Sequence, residues 1–219
     1  MVFHLEDMIG DAKTIAISGH IRPDGDCVGS TLAVYNYIRC YHEDIKCDVF
    51  LNSPPETFDY LCGFSDIKWI EDAIAGEVYD LFICLDCGDI RRLDESGSLF
   101  EKAKRTVCID HHLSNEDFAD VNYVVPKASS TCELVFNTID TDKLTKDIAE
   151  CLYTGIIHDT GVFQYSCTSY DTMRIGGLLM NMGIDYSKII DESFYEVSYK
   201  ENKLLGTALL RAALYENGK

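Results

Sequence analysis

Five short apolar runs rich in Ile, Val and Phe punctuate the first part of the chain: TIAIS (14–18), KCDVFL (46–51), YDLFICLD (79–86), RTVCID (105–110) and NYVV (122–125). Each has the length of a strand, and the stretches between them carry helical period over about 29–42, 55–62 and 95–103. Strands that alternate with crossover helices pair in parallel. The pattern therefore predicts an α/β fold built on a five-stranded, mostly parallel sheet with flanking helices. After Pro126 the pattern turns helical. SSTCELVFNTID opens with Ser and Thr as N-cap candidates and carries Glu133 in its first turn, and TKDIAECLYTGIIHDTG stops at Gly161. Two or three further helices are expected over about 171–217. The chain thus reads as one domain over 1–190 and a helical C-terminal extension over 191–219, with LLGTALLRAALYENG as an amphipathic last helix.

Open parallel sheets bind ligands at the carboxyl ends of their strands, so the residues that follow each run matter most. TIAIS runs into GHIRPDGDCVGS, which places His20, Asp24 and Asp26 in a loop, with Gly29 and Ser30 expected to begin the next helix. Gly19, Gly25 and Gly29 do not match a dinucleotide-binding GxGxxG, and two Asp would repel a phosphate there unless metals intervened. The glycines are expected to let the loop fold tightly. By itself the stretch reads equally as a metal loop or an acidic turn. YDLFICLD ends in Asp86, whose burial is costly unless a cation or donor meets it; the alternative is a loop cap, the role expected of Asp89.

RTVCID is followed by His111 and His112. Adjacent side chains on extended backbone diverge, so one imidazole is expected to ligate a metal while the other faces a substrate phosphate or leaving group. Asp110 is placed to orient a ligand imidazole. Asp159 closes an apolar helix, where a carboxylate is disfavoured unless something positive compensates; its neighbour His158 reads as a cation favoured by the helix dipole.

Together His20, Asp24, Asp26, Asp86, His111 and Asp159 offer six N/O ligands and no thiolate. That set suits Mn²⁺, Fe²⁺, Co²⁺ or Mg²⁺ better than a thiolate-rich zinc site. Six ligands exceed the needs of one open catalytic ion and suit two ions sharing a carboxylate, an arrangement that serves in-line phosphoryl hydrolysis. The 19 basic and 37 acidic residues give a net charge of −18, which argues against a long nucleic-acid partner but allows a small phosphate ligand held by local cations. No stretch has the length of a membrane span, and MVFHLEDMIGDAK lacks the layout of a signal peptide, so the cytoplasm is the expected location. The ten Cys sit largely inside apolar runs and read as reduced, buried thiols. In the lone CxxC, Cys84 and Cys87 are expected on opposite strand faces, which disfavours a zinc clip.

In chain order, HIRPDGDCVGS, LDCGD, IDHHLSN and TGIIHDTGVF resemble the four motifs of the DHH phosphoesterase family. ASSTCELVF, the helices around IIDESFYE and LLGTALLRAALY resemble its nanoRNase / pAp phosphatase branch, and the resemblance spans essentially the whole chain. It implies a cytoplasmic phosphoesterase using two divalent ions, Mn²⁺ in the first place with Mg²⁺ or Co²⁺ as alternatives. Such enzymes use metal-activated water to hydrolyse short oligoribonucleotides or dinucleotides to 5′-mononucleotides, or pAp (3′-phosphoadenosine 5′-phosphate) to AMP. The resemblance further implies that His20 and Asp24 hold one ion, that Asp26, His111 and Asp159 hold the other, and that Asp86 bridges them. His112 would act at the scissile phosphate or leaving group, Asp110 would support a ligand, and Ser114 and Asn115 would contact substrate. A homodimer fits the same picture.

Two features depart from the family pattern. Val162 stands where a basic residue is frequent, so one phosphate contact is expected from elsewhere. No Gly-rich GGGH-like motif of the family's second, substrate-binding domain is found before Lys219, so the chain is expected to represent the metal-binding domain with weak substrate affinity of its own. The alternatives are a manganese-dependent inorganic pyrophosphatase, which shares the four motif types, and a non-catalytic metal- or nucleotide-binding module.

Overall fold

The computed structural model describes residues 3–70 and 77–213. Its regular elements are helix α1 (Leu5–Ile9), strand β1 (Thr14–Ser18), α2 (Gly25–Tyr41), β2 (Lys46–Phe50), β3 (Leu81–Leu85), α3 (Gly97–Phe100), β4 (Thr106–Asp110), β5 (Val121–Val124), α4 (Thr131–Thr138), α5 (Lys146–Thr160), α6 (Tyr170–Met180), α7 (Tyr186–Ile189) and α8 (Tyr199–Arg211). The five strands form one sheet in the order β2-β1-β3-β4-β5. Every pairing is parallel. β3 and β4 are buried at all five positions, which is why they read as unbroken apolar runs instead of alternating ones.

Alternate strand residues feed two cores. Ile15, Ile17, Val49, Ile83, Val107 and Ile109 join the large core made with α2, α4 and α5. Ala16, Phe50, Phe82, Cys84 and Cys108 join a smaller one that includes Leu93, Leu99 and Phe100. β1 and β3 are neighbours in the sheet although β2 lies between them in sequence, so the winding direction reverses there. That reversal leaves a crevice at the carboxyl ends of β1 and β3, the usual ligand position of such sheets.

Several boundaries differ from the expectation. α2 begins at Gly25, not Gly29, because Asp24 caps it. It is buried at every position from Gly25 to Ile38, so it has no polar face from which its start could be read. The helix expected over 55–62 is only the 3₁₀ turn Glu56–Phe58, preceded by two prolines. The one expected over 95–103 is a 3₁₀ segment, Ile90–Ser96, kinked at Asp94 (φ 51°) and followed by the short α3. α8 buries none of its residues, and positions 214–219 of the expected last helix lie outside the described residues. Among the described residues no helix is long and apolar enough to cross a membrane.

The expectation that Gly25 and Gly29 serve a tight turn is replaced by one of close approach. A Cβ on Gly25 would lie 2.3 Å from the His158 ring, and one on Gly29 would lie 2.4 Å from the Cys151 carbonyl oxygen in α5. Backbone cannot yield as a flexible side chain can. Gly29→Ala is therefore expected to force α2 and α5 apart and to destabilise the fold by about 2 kcal/mol, overpacking outweighing the gain in helix propensity. Gly177→Ala is the control, since no atom lies within 4 Å of the added methyl. It should be neutral or stabilising by up to about 1 kcal/mol in urea denaturation.

Candidate metal centre

The carboxyl ends of β1, β3 and β4 and the end of α5 each deliver a titratable group to the crevice. Beyond β1, Asp24 Oδ1 accepts the backbone N–H of Asp26 (3.1 Å) and Cys27 (3.2 Å), which starts α2 and puts Asp26 in its first turn instead of a loop. Asp26 is fully buried, and its two oxygens accept the N–H groups of Thr131 (2.6 Å) and Cys132 (2.9 Å) at the start of α4. The sequence marked Ser130 and Thr131 as helix-capping residues, and Ser130 does cap α4. It gave no sign that the same helix end would grip a carboxylate 105 positions earlier. Thr131 also donates its hydroxyl to Asp86 Oδ1 (3.1 Å).

Asp86 follows β3 with φ 53°, a left-handed turn that is costly for any residue but glycine. The turn brings Cys87 back into the same small core as Cys84 and Cys108, so the two CxxC thiols do not diverge as a continuous strand would require. No Cys is disulfide-bonded. Asp159 sits in the last turn of α5, which Gly161 closes in the left-handed region, and Val162 and Phe163 continue with φ 55° and 64°. Positive φ at Asp86, Val162 and Phe163 thus accompanies two of the places where candidate ligands emerge.

Asp86 is the hub. Its Oδ2 lies 3.3 Å from His20 Nε2, and its Oδ1 lies 3.7 Å from His111 Nε2 and 3.6 Å from His112 Nδ1. His111 Nε2 is also 3.0 Å from Asp159 Oδ2 and 3.8 Å from Asp26 Oδ2, while His20 Nε2 is 3.7 Å from Asp24 Oδ2. Asp26, His111 and Asp159 form one group able to hold a metal ion, and Asp86 belongs to two others, with His20 and Cys27 and with His111 and His112. Burial and the charges of Asp86 and Asp24 push the Cys27 thiol well up in the metal-free chain.

His111 and His112 do not diverge as expected. The strand ends at Asp110, and the two rings lie 5.0 Å apart. Asp110 pairs with His112, whose Nδ1 is 2.7 Å from Asp110 Oδ1, while His111 Nδ1 faces the Ala128 carbonyl at 3.3 Å. The imidazole that Asp110 orients is therefore His112, and not His111, which faces Asp159 at 3.0 Å. Asn115 donates to Asp110 Oδ2 (2.8 Å) and the Cys87 carbonyl (3.3 Å) and accepts from Asp117 N (2.8 Å). Its amide thus helps to fix this loop. Ser114 is exposed, with its hydroxyl near Gly88. His158 is not a helix-end cation: it packs between Phe58 and Phe194, 3.2 Å from Ser193 Oγ, and burial lowers its pKa.

Among the described residues no Lys or Arg pairs with Asp24, Asp26, Asp86, Asp110 or Asp159; every ion-pair partner is a histidine. Burial works against a charged His20, but Asp24 and Asp86 outweigh it and push its pKa up to about 10. For His111, Asp159, Asp26 and Asp86 likewise overcome burial and raise the pKa to about 10. Burial first, then the neighbouring Asp86 charge, raise Asp26 and Asp159. Such a cluster calls for positive charge, and oxygen and imidazole donors in this number fit hard or borderline divalent ions.

A ligating imidazole must give up its proton. With His20 and His111 raised from 6.5 to about 10, metal affinity is expected to climb as pH rises between those values, and uptake at pH 7 to release protons. Mn²⁺ titration calorimetry in two buffers of different ionisation enthalpy reads the release directly. In the metal-free chain the sign is opposite: the stability these imidazolium groups add is full below pH 6.5 and is lost as pH rises through about 10.

The DHH family N-terminal domain model matches residues 14–156, which contain β1 to β5 and all of the cluster but Asp159. The chain belongs to the DHH family. Among similar proteins, the bifunctional oligoribonuclease and PAP phosphatase NrnA of Bacillus subtilis is 26% identical over 94% of this chain and 64% of its own length. The Thermus thermophilus protein of the same name is 28% identical over 93% of this chain and 60% of its own. The crystal structure of an exopolyphosphatase-related protein from Bacteroides fragilis superposes with a TM-score of 0.87 at 30% identity, covering 95% of this chain and 64% of that one. This DHH chain thus spans less than two thirds of the length of each of these relatives.

Proposed function

We propose that this DHH chain is a metal-dependent phosphoesterase acting on short oligoribonucleotides, dinucleotides or pAp, with two divalent ions, Mn²⁺ foremost, held by His20, Asp24, Asp26, Asp86, His111 and Asp159. The observation that carries the reading is Asp86, a buried carboxylate approached by three imidazoles from two strand ends and paired with no Lys or Arg among the described residues. The names of the Bacillus and Thermus relatives support the substrate class. Ions bound here supply water activation and neutralise charge developing on the phosphoryl oxygens.

The chain's own residues do the rest. Asp24 and Asp26 are fixed by helix-start N–H groups, so they need little rearrangement to ligate. Asp110 holds His112 by Nδ1 and, more than burial opposes it, raises its pKa. The protonated ring is then available to give its Nε2 proton to the leaving oxygen. α8 buries none of its residues, which supports reading the later part of 191–219 as a connecting segment, while Ser193 and Phe194 pack on His158 of the catalytic unit over 1–190.

The test compares Mn²⁺-dependent release from pAp, a 5′-labelled dinucleotide and pyrophosphate. AMP from pAp or 5′-mononucleotide from the dinucleotide, abolished by chelator and exceeding pyrophosphate cleavage, is expected. Preference for pyrophosphate would favour the inorganic pyrophosphatase alternative.

A further inference from the structure

Arg22 lies between His20 and Asp24, two candidate ligands, and belongs neither to the metal cluster nor to the core. Its neighbours are tied down. Ile21 donates its N–H to the Arg92 carbonyl (2.8 Å), the Ile21 carbonyl lies 2.7 Å from His20 Nδ1, Pro23 is buried and Asp24 caps α2. Arg22 itself holds left-handed backbone (φ 53°), although a residue before proline favours the extended region. Its side chain is exposed and makes no hydrogen bond or ion pair among the described residues, in a chain with 37 acidic residues against 19 basic ones. It lines an open cleft of about 530 Å³ together with Pro23, Asn52, Ser53 and Asp94, a volume that suits a small ligand. Among the described residues that line this cleft, Arg22 is the one cation and Asp94 the one carboxylate.

We propose that Arg22 binds a second phosphate of the substrate, the 5′-phosphate of the nucleoside whose 3′-oxygen carries the scissile phosphoryl group. This rests on the phosphoesterase reading above and narrows its substrate class. pAp and a 5′-phosphorylated dinucleotide share that arrangement, and each yields a nucleoside 5′-phosphate. One ribose separates the two phosphates, so with the scissile group at the cluster the other must sit beside it. A cation carried by the loop between two ligands stands where that second charge falls. The net charge of −18 opposes a dianion at long range, so a second phosphate needs a cation close at hand. A guanidinium meets the need with two parallel N–H donors to two phosphate oxygens, and Arg22 has no carboxylate partner to give up first. Asp94 works against the anion, since its contact with Asn52 Nδ2 (3.5 Å) leaves its charge in place. The two charged residues of the cleft therefore act with opposite sign on the same ligand.

The full chain with Mn²⁺ is assayed on pAp and on adenosine 3′-phosphate, which lacks the second phosphate. The parent is expected to prefer pAp, and Arg22→Ala to lower kcat/KM for pAp about tenfold or more relative to that for adenosine 3′-phosphate. Arg22→Lys, which keeps the charge and loses the fork, should recover part of the difference, and Asp94→Asn should widen the preference for pAp. An equal loss on both substrates, or none on either, overturns the proposal. Adenosine 5′-phosphate carries the second phosphate alone and gives a reading free of turnover: calorimetry should show it bound about tenfold more weakly by Arg22→Ala than by the parent. Arg22-dependent binding in a chain that hydrolyses neither substrate would contradict the phosphoesterase reading and uphold the phosphate contact. No measurable binding, or binding indifferent to Arg22, overturns the contact even where pAp is hydrolysed.

Discussion

Asp86→Asn is expected to lower Mn²⁺-supported turnover of pAp or a dinucleotide by about 10³-fold or more while leaving the fold intact. The substitution keeps the volume of a 2% exposed side chain and an oxygen to accept from Thr131 Oγ1, and it removes only the charge. That charge is what His20, His111 and His112 converge on, and what a pair of cations would share. Its removal has a second signature: the rise in melting temperature that Mn²⁺ produces in the parent should vanish in the variant. Near-normal turnover in Asp86→Asn would remove this residue from the centre.

The adjacent histidines should separate cleanly. His112→Ala is expected to cut kcat by about 10²-fold or more with Mn²⁺ affinity nearly unchanged, because its nearest carboxylate is Asp110 and its assigned task is proton donation. A nitrophenyl ester, whose leaving group needs no proton, should recover most of that loss. His111→Ala should instead weaken Mn²⁺ binding strongly, since His111 Nε2 faces Asp159, Asp26 and Asp86 together. Calorimetry and single-substrate kinetics on the two variants decide the matter: equal metal loss in both would mean that His112 is a ligand.

The strands and the residues at their ends were legible because buried parallel strands write themselves as apolar runs, and because His20, Asp86 and His111 follow them directly. The arrangement of those groups was less so. The start of α2 was hidden because a helix buried all round carries no amphipathic stripe. The convergence of His111 and His112, and that of Cys84 and Cys87, depends on where β4 stops and on the positive φ of Asp86, neither of which periodicity encodes. The grip of α4 on Asp26 is a contact across 105 positions. Gly25, Gly29 and Gly155 make it reachable by letting helices and His158 come close, a packing role that resembles turn-forming glycine when only the sequence is seen.

The central claim is that one buried carboxylate serves two metal ions. Electron paramagnetic resonance of the chain with two equivalents of Mn²⁺ tests it most directly. An exchange-coupled pair signal that collapses in Asp86→Asn is the predicted result. An isolated-ion spectrum at every loading, or a coupled signal that survives the substitution, would contradict the account.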